Sequence, residues 1–183
     1  MNKTEAFQYL DSQQDFLFHT SDSIWDNPET DYHEEKSSAI LKNALTEAGF
    51  TVQSGLAGIP TAFSGSYGSG KPVIGFLGEF DALSGLSQEA GITEKKPIVE
   101  GGNGHGCGHN LLGTGSLAAA IAVKKYLEAS GKPGTVIFFG CPAEEGGSGK
   151  AFMAKAGVFD GVDIALSWHP NNLNSVWSFS TLA

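Results

Sequence analysis

The sequence predicts an α/β fold in which a sheet is covered by helices on both faces. Two observations point there. The runs Val73–Leu77, Thr135–Phe139 and Asp163–Trp168 are nearly continuous in apolar residues, as strands buried on both faces are. They alternate with longer stretches whose apolar residues recur at helical spacing.

Taken in chain order, residues 4–26 read as one amphipathic helix with Phe7, Leu10, Leu17 and Ile24 on its stripe, ended by Asn27-Pro28. A second helix is expected over 34–48, with Ile40, Leu41, Leu45 and Ala48 facing inward and Gly49 as its stop. Thr51-Val52 and Thr61–Phe63 are short strand candidates. Ser64–Gly70 reads as a turn because it is rich in Gly and Ser. After the Val73–Leu77 strand, residues 84–104 form a polar, Gly-rich loop too long to be only a connector. Leu111–Ala129 reads as a helix apolar on most faces, hence buried. Residues 147–156 suggest a short helix. The final run, Val176–Ala183, resembles a half-buried strand with no polar tail, so the chain reads as interrupted within a larger architecture. The whole, residues 1–183, is long enough for one domain with a core of its own.

Composition excludes several roles. Formal net charge is −9 and all eleven basic residues are Lys, so no basic stripe for nucleic acid exists. The absence of Arg also means that a bidentate guanidinium clamp for a substrate carboxylate cannot come from this chain. No apolar run approaches membrane-spanning length, and Met1–Glu5 opens no signal-peptide core; a cytoplasmic protein is expected. With only Cys107 and Cys141, a disulfide is the weaker expectation.

Four ligand-rich segments stand at strand ends or before a helix, where sites of open α/β sheets form. Asp81 follows the first apolar strand, Glu144-Glu145 the second and His169 the third, while Gly104-His105-Gly106-Cys107-Gly108-His109-Asn110 opens the buried helix. Cys107 and His109 are separated by one glycine, which lets thiolate and imidazole reach one point, and a helix N-terminus favours the thiolate. In the Glu144-Glu145 doublet the two side chains should diverge, one binding a metal and the other facing the water it activates. His105 is expected to orient a ligand or the substrate from behind, with a purely structural role equally open. His19 and His33 read as surface residues, and Cys141 as a small buried apolar one.

Two phosphate-loop look-alikes fail. Gly65–Lys71 has the spacing, but Pro72 replaces the hydroxyl residue and a strand follows where a helix is required; Gly146–Lys150 lacks the first glycine and has Ala151 in the hydroxyl position. Gly113-Thr114-Gly115 lies inside a helix instead of at a strand-to-helix turn.

The segments Gly78–Leu83 (GEFDAL), Gly104–Asn110 (GHGCGHN), Pro142–Gly146 (PAEEG) and Ser167–Pro170 (SWHP) resemble motifs of the zinc-peptidase-like family of aminoacylases, carboxypeptidase G and related amidohydrolases. The chain is most similar to the branch containing p-aminobenzoyl-glutamate hydrolase and the indole-acetyl-amino-acid hydrolases. The resemblance implies a three-layer α/β/α catalytic domain of zinc-exopeptidase type, of which this chain is the N-terminal part. A dimerising lid domain and a last segment with one more His ligand would lie outside it. It further implies that Cys107, His109, Glu145 and His169 bind metal and that Glu144 is the general base. Asp81 matches the aspartate of the first motif. Glu79 stands where the peptidase branches carry a His ligand, so Asp81 is expected to support a ligand instead of binding directly. The donor set suits zinc, with manganese or cobalt as alternatives and two ions in the complete enzyme. The expected reaction is hydrolysis of an amide between an acyl or aroyl group and an amino acid, by a full-length homodimer, with this chain alone inert. A dipeptidase or aminopeptidase, or a non-catalytic metal-binding fragment, are the competing expectations.

Overall fold

The computed structural model describes residues 1–173 and 175. The strand-like run expected at 176–183 therefore lies outside the described residues. Helices α1 (Lys3–Ser12), α2 (Gln14–Trp25) and α3 (Glu35–Glu47) precede strands β1 (Thr51–Ser54), β2 (Phe63–Ser69) and β3 (Val73–Glu79). Then come α4 (His109–Ser130), β4 (Gly134–Cys141), α5 (Glu144–Gly147), α6 (Gly149–Lys155) and β5 (Ile164–Leu166).

The five strands form one mixed sheet in the order β1-β2-β4-β3-β5. β3 pairs in parallel with β4, from Val73↔Thr135 to Glu79↔Cys141, and in parallel with β5 through Phe76↔Leu166. β2 runs antiparallel to both β4 and β1. The parallel trio therefore ends on one edge, and the segments that leave it all start there.

Alternation along the strands splits the apolar residues between two cores. On one face Phe63, Phe76, Val136 and Phe138 pack with Ile24, Leu41, Leu45, Leu117 and Ile121 from the helices. On the other, Phe139 and Cys141 pack with Ala62 and Met153 of α6, against Leu77, Phe159 and Val162. The sheet thus has a thick helical layer on one side and a thin one on the other, an α/β fold covered on both faces.

Three local expectations change. The helix expected over 4–26 is two helices, broken at Gln13, whose backbone leaves the helical region at φ −99° and ψ 9°. Ser12 bonds back to the Tyr9 carbonyl at 2.6 Å, which competes with the helical ladder there. Phe7 is consequently exposed and α1 buries no residue fully, whereas Ile24 of α2 is wholly buried. Ser64–Gly70 is not a turn. Ser64–Ser69 belongs to β2, because pairing with β1 and β4 on both sides supplies a ladder that its Gly and Ser content does not suggest. The apolar helix begins earlier than expected, at His109, and is exposed along part of its length, with Leu111 half exposed.

Phe63 anchors the main core. Its ring lies 5.7 Å from that of Phe80 and 5.9 Å from that of Phe138, all three being fully buried. Phe63→Ala should therefore cost about 3–5 kcal/mol, the usual range for deleting a buried ring. Urea unfolding checks this: the midpoint should fall with the slope unchanged.

Candidate metal centre

The centre of the site is His109, the first residue of α4. Gly108 before it adopts φ +77°, a left-handed conformation, and a side chain there would meet Pro170 at 2.8 Å. Glycine at this position lets the chain turn from Cys107 directly into the helix. The imidazole is wholly buried, and its Nδ1 donates to Asp81 Oδ1 at 2.9 Å. A carboxylate acceptor at Nδ1 places the proton there and leaves the Nε2 lone pair free.

That Nε2 lies 3.1 Å from Glu79 Oε2 and 3.8 Å from Glu145 Oε1, yet has no hydrogen-bond partner among the described residues. His169 repeats the arrangement. Its Nδ1 donates to the Pro170 carbonyl at 2.9 Å, and its Nε2 lies 3.3 Å from Cys107 Sγ. The residue before it, Trp168, is held by a 3.1 Å bond from its indole N–H to the Leu112 carbonyl. The two imidazoles are edge to face, their centroids 5.7 Å apart.

Two donor groups result. In one, Cys107, His109 and His169 each offer an atom within 4.8 Å of the others; in the second, Glu79, His109 and Glu144 do the same. His109 belongs to both. A buried imidazole lone pair without a partner, faced by a thiol, a second imidazole and carboxylates, is a donor set that fits a transition-metal ion.

Asp81 holds the assembly from behind. It is 2% exposed, and while Oδ1 receives His109, Oδ2 receives the Glu145 backbone N–H at 2.9 Å. One carboxylate thereby fixes the first residue of α4 and the start of α5 relative to the end of β3. His105 does not face the donors. Its Nε2 lies 3.1 Å from the Ile24 carbonyl on α2, its ring is buried beside Trp25, and its Nδ1 has no partner among the described residues. His19 and His33 are exposed, and Cys141 is a buried free thiol.

Electrostatics oppose one expectation. The helix N-terminus does not lower the Cys107 thiol: burial, then the Glu145 hydrogen bond and the charges of Glu145, Glu144 and Glu79, push it up to about 12. Burial first, and then the local excess of carboxylates, act against the thiolate. For His109, burial acts to lower the pKa, but Asp81, Glu79 and Glu145 together raise it above the ordinary value. Burial lowers His105.

Sequence reasoning noted Glu79 only as standing in place of a His ligand and gave it no role of its own, and it missed Lys150. Glu79 is buried and its Oε1 pairs with Lys150 Nζ of α6. The strand period could have placed the Glu79 side chain, since it shares a face with Leu77, which packs against the cluster that includes Met153 of α6. Lys150 figured only as part of a failed phosphate loop, and its pairing across the sheet edge has no signal in the sequence.

The comparisons with known proteins agree with this picture. Residues 75–178 match the profile of Peptidase family M20/M25/M40, and the chain belongs to that family. It is 58% identical over 163 residues to a p-aminobenzoyl-glutamate hydrolase polypeptide of Escherichia coli K12, a match covering 89% of this chain and 34% of that protein. It is 31% identical over 188 residues to the Xaa-Arg dipeptidase of Mus musculus, covering 96% of this chain and 39% of that one. The chain thus spans little more than a third of the length of these relatives. A dinuclear metal-binding peptidase of the same family from Bacillus subtilis superposes with a TM-score of 0.74 at 21% identity, over 88% of this chain and 44% of that one, which shows the shared fold.

The raised thiol is directly testable. In metal-free protein Cys107 should react slowly with iodoacetamide at neutral pH, because little thiolate is present. Glu145→Gln removes a hydrogen bond and a charge that keep the proton on sulfur, so alkylation at neutral pH should accelerate several-fold. Mass spectrometry of the modified peptide over time measures both.

Proposed function

We propose that this chain supplies the metal centre of an amidohydrolase that cleaves the bond between an acyl or aroyl group and an amino acid. The observation that carries the reading is the His109 Nε2 lone pair, buried, unpartnered and pinned in orientation by Asp81. Cys107, His109, Glu145 and His169 would hold the ion, zinc by the chemistry of the set, with manganese or cobalt as alternatives and a second ion in the complete enzyme. When bound, the ion acidifies water and polarises the scissile carbonyl. Glu144 takes the proton of the attacking water and passes it to the leaving amine. Asp81 keeps His109 in one tautomer throughout, and its second oxygen holds the backbone of Glu145, next to Glu144.

The substrate class rests on the 58% identity to a protein named for p-aminobenzoyl-glutamate hydrolysis. A dipeptidase is the second reading, favoured by the 31% identity to the Xaa-Arg dipeptidase. Comparing N-aroyl amino acids with dipeptides as substrates of the full-length protein separates them. A homodimer formed through a lid domain, a further His ligand, a substrate-binding guanidinium and a cytoplasmic location complete the proposal for the whole protein. No helix among the described residues is long and apolar enough to cross a membrane.

The two glutamates can be told apart. Glu144→Ala should retain the metal and lose turnover by ~10²–10⁴-fold, the usual worth of a positioned general base. Glu145→Ala should weaken metal binding as well. The geometry also supports exchanged roles, because Glu144 shares a donor group with His109 and Glu79. If so, Glu144→Ala strips the metal and Glu145→Ala does not. Metal content after dialysis, read beside kcat, decides.

Metal uptake should depend on pH in a definite direction. Cys107 carries its proton at neutral pH and must release it to bind, and raised His109 must be neutral. Apparent affinity should therefore rise by about tenfold per pH unit through the neutral range, and by more once acid also protonates His109. Competition titration against a chelator at stepped pH measures the slope. A flat profile would show that the thiolate is not a ligand.

A further inference from the structure

The loop of residues 28–34, between α2 and α3, holds none of the proposed ligands, yet it touches two segments that do and the segment of Asp81, which orients one of them. The Ala82 N–H, next to Asp81, donates to the Glu29 carbonyl at 2.8 Å. Asn103, in the approach to Cys107, donates its side-chain amide to the Pro28 carbonyl at 3.0 Å. The Ala143 N–H, next to Glu144, donates to Glu34 Oε1 at 3.0 Å. The Tyr32 hydroxyl donates to the Gly147 carbonyl.

Glu34 is the pivot. It is fully buried, and its Oε1 accepts both the Ala143 N–H and the Tyr32 N–H, each at 3.0 Å. Its Oε2 accepts the Thr61 hydroxyl at 3.1 Å. Burial raises its pKa, opposed by the backbone bonds and Thr61. A buried carboxylate is a costly way to join two loops if fold stability is all that is at stake.

The backbone is most constrained at the same place. Among the described residues, non-glycine residues at positive φ are Asp31, Tyr32, Ala57, Ala143 and Ser148, and all but Ala57 lie in the two touching loops. Such conformations persist only where the surroundings over-determine them. The loops also meet without room for a side chain: a Cβ on Gly146 would come within 2.2 Å of Asp31 Oδ1, and one on Gly147 within 2.4 Å of the Tyr32 ring.

We infer that loop 28–34 is the template that sets the placement of Glu144 and Glu145 at the metal centre, and that Glu34 is its positioning residue, acting through the Ala143 amide. This rests on the proposed metal centre. Glu34 touches neither substrate nor ion; it holds the left-handed turn at Ala143 from which both glutamates project.

The test uses full-length protein with cobalt(II) as the probe, since its visible spectrum reports ligand geometry. Glu34→Ala should weaken cobalt affinity on the order of 10–100-fold, as loss of supporting contacts at metal sites does, and alter the spectrum. Glu34→Gln should restore both, because its carbonyl can accept the same two amides. Amide hydrogen exchange in the metal-free proteins should show protection at Ala143 lost in the Ala variant and kept in the Gln variant. A Glu34→Ala protein with wild-type cobalt affinity and spectrum, whatever its thermal stability, overturns the inference. So does a Gln variant as impaired as the Ala variant, which would assign the effect to charge. Should Glu34→Ala not fold, Tyr32→Phe carries the test: it removes the hydroxyl link to Gly147, and an unchanged cobalt spectrum overturns the inference. Absence of cobalt uptake by the unmutated protein defeats the metal reading itself; exchange at Ala143 then still decides whether Glu34 holds the loop, unchanged protection overturning it.

Discussion

The hydrogen bond from His109 Nδ1 to Asp81 is the contact on which the site depends, because it joins three chain segments through one carboxylate. Asp81 follows β3, His109 opens α4, and the Glu145 amide that fills the second Asp81 oxygen belongs to α5. A buried carboxylate is tolerated only if its oxygens are satisfied, and here each receives an N–H. The same bond decides the tautomer of His109 and so directs its lone pair toward Glu79, Glu145 and Cys107.

The charge around that lone pair is unbalanced. Glu79, Asp81, Glu144 and Glu145 surround one imidazole and one thiol, and Lys150 is the cation paired among them. Burial first, and then repulsion from these like charges, keep the proton on the thiol. A bound cation removes the repulsion and allows the thiol to ionise, so the acidic surplus is a physical reason for the site to take up an ion. The replacement of an expected His by Glu79 belongs to the same arrangement, since Glu79 is held by Lys150 from α6 and does not stand alone beside His109.

The scaffold contributes mainly by direction. Parallel pairing of β3, β4 and β5 ends three strands at one edge, and α4 enters from the same edge. Asp81, Glu144-Glu145 and His169 leave those strands within a few residues of their ends, so the topology alone brings them near His109. The two antiparallel strands, β1 and β2, extend the sheet away from the site and give Phe63 to the core, not to the chemistry.

Much of this was legible from the residues themselves. The apolar runs are strands because a strand buried on both faces has no polar side to show, and Cys107, His109 and His169 draw together because glycines and strand ends are local features with local signatures. The resemblance in the four motif segments pointed to the family to which the chain belongs. What remained hidden depends on contacts across the chain. Ser64–Ser69 is a strand because neighbours on both sides pair with it, against its own composition. The break at Gln13 and the exposure of Phe7 were hidden for another reason: the apolar stripe runs on at helical spacing across the point where Ser12 turns back to Tyr9. Glu34 looks like part of a solvated charge run, His33-Glu34-Glu35-Lys36, and becomes a buried acceptor only when the Ala143 amide, 109 positions away, arrives beside it. The protonation of Cys107 was misread for the same reason. A helix end is visible in the sequence, but the burial of the thiol and the three carboxylates that the fold gathers around it are not, and burial, followed by those charges, decides the outcome.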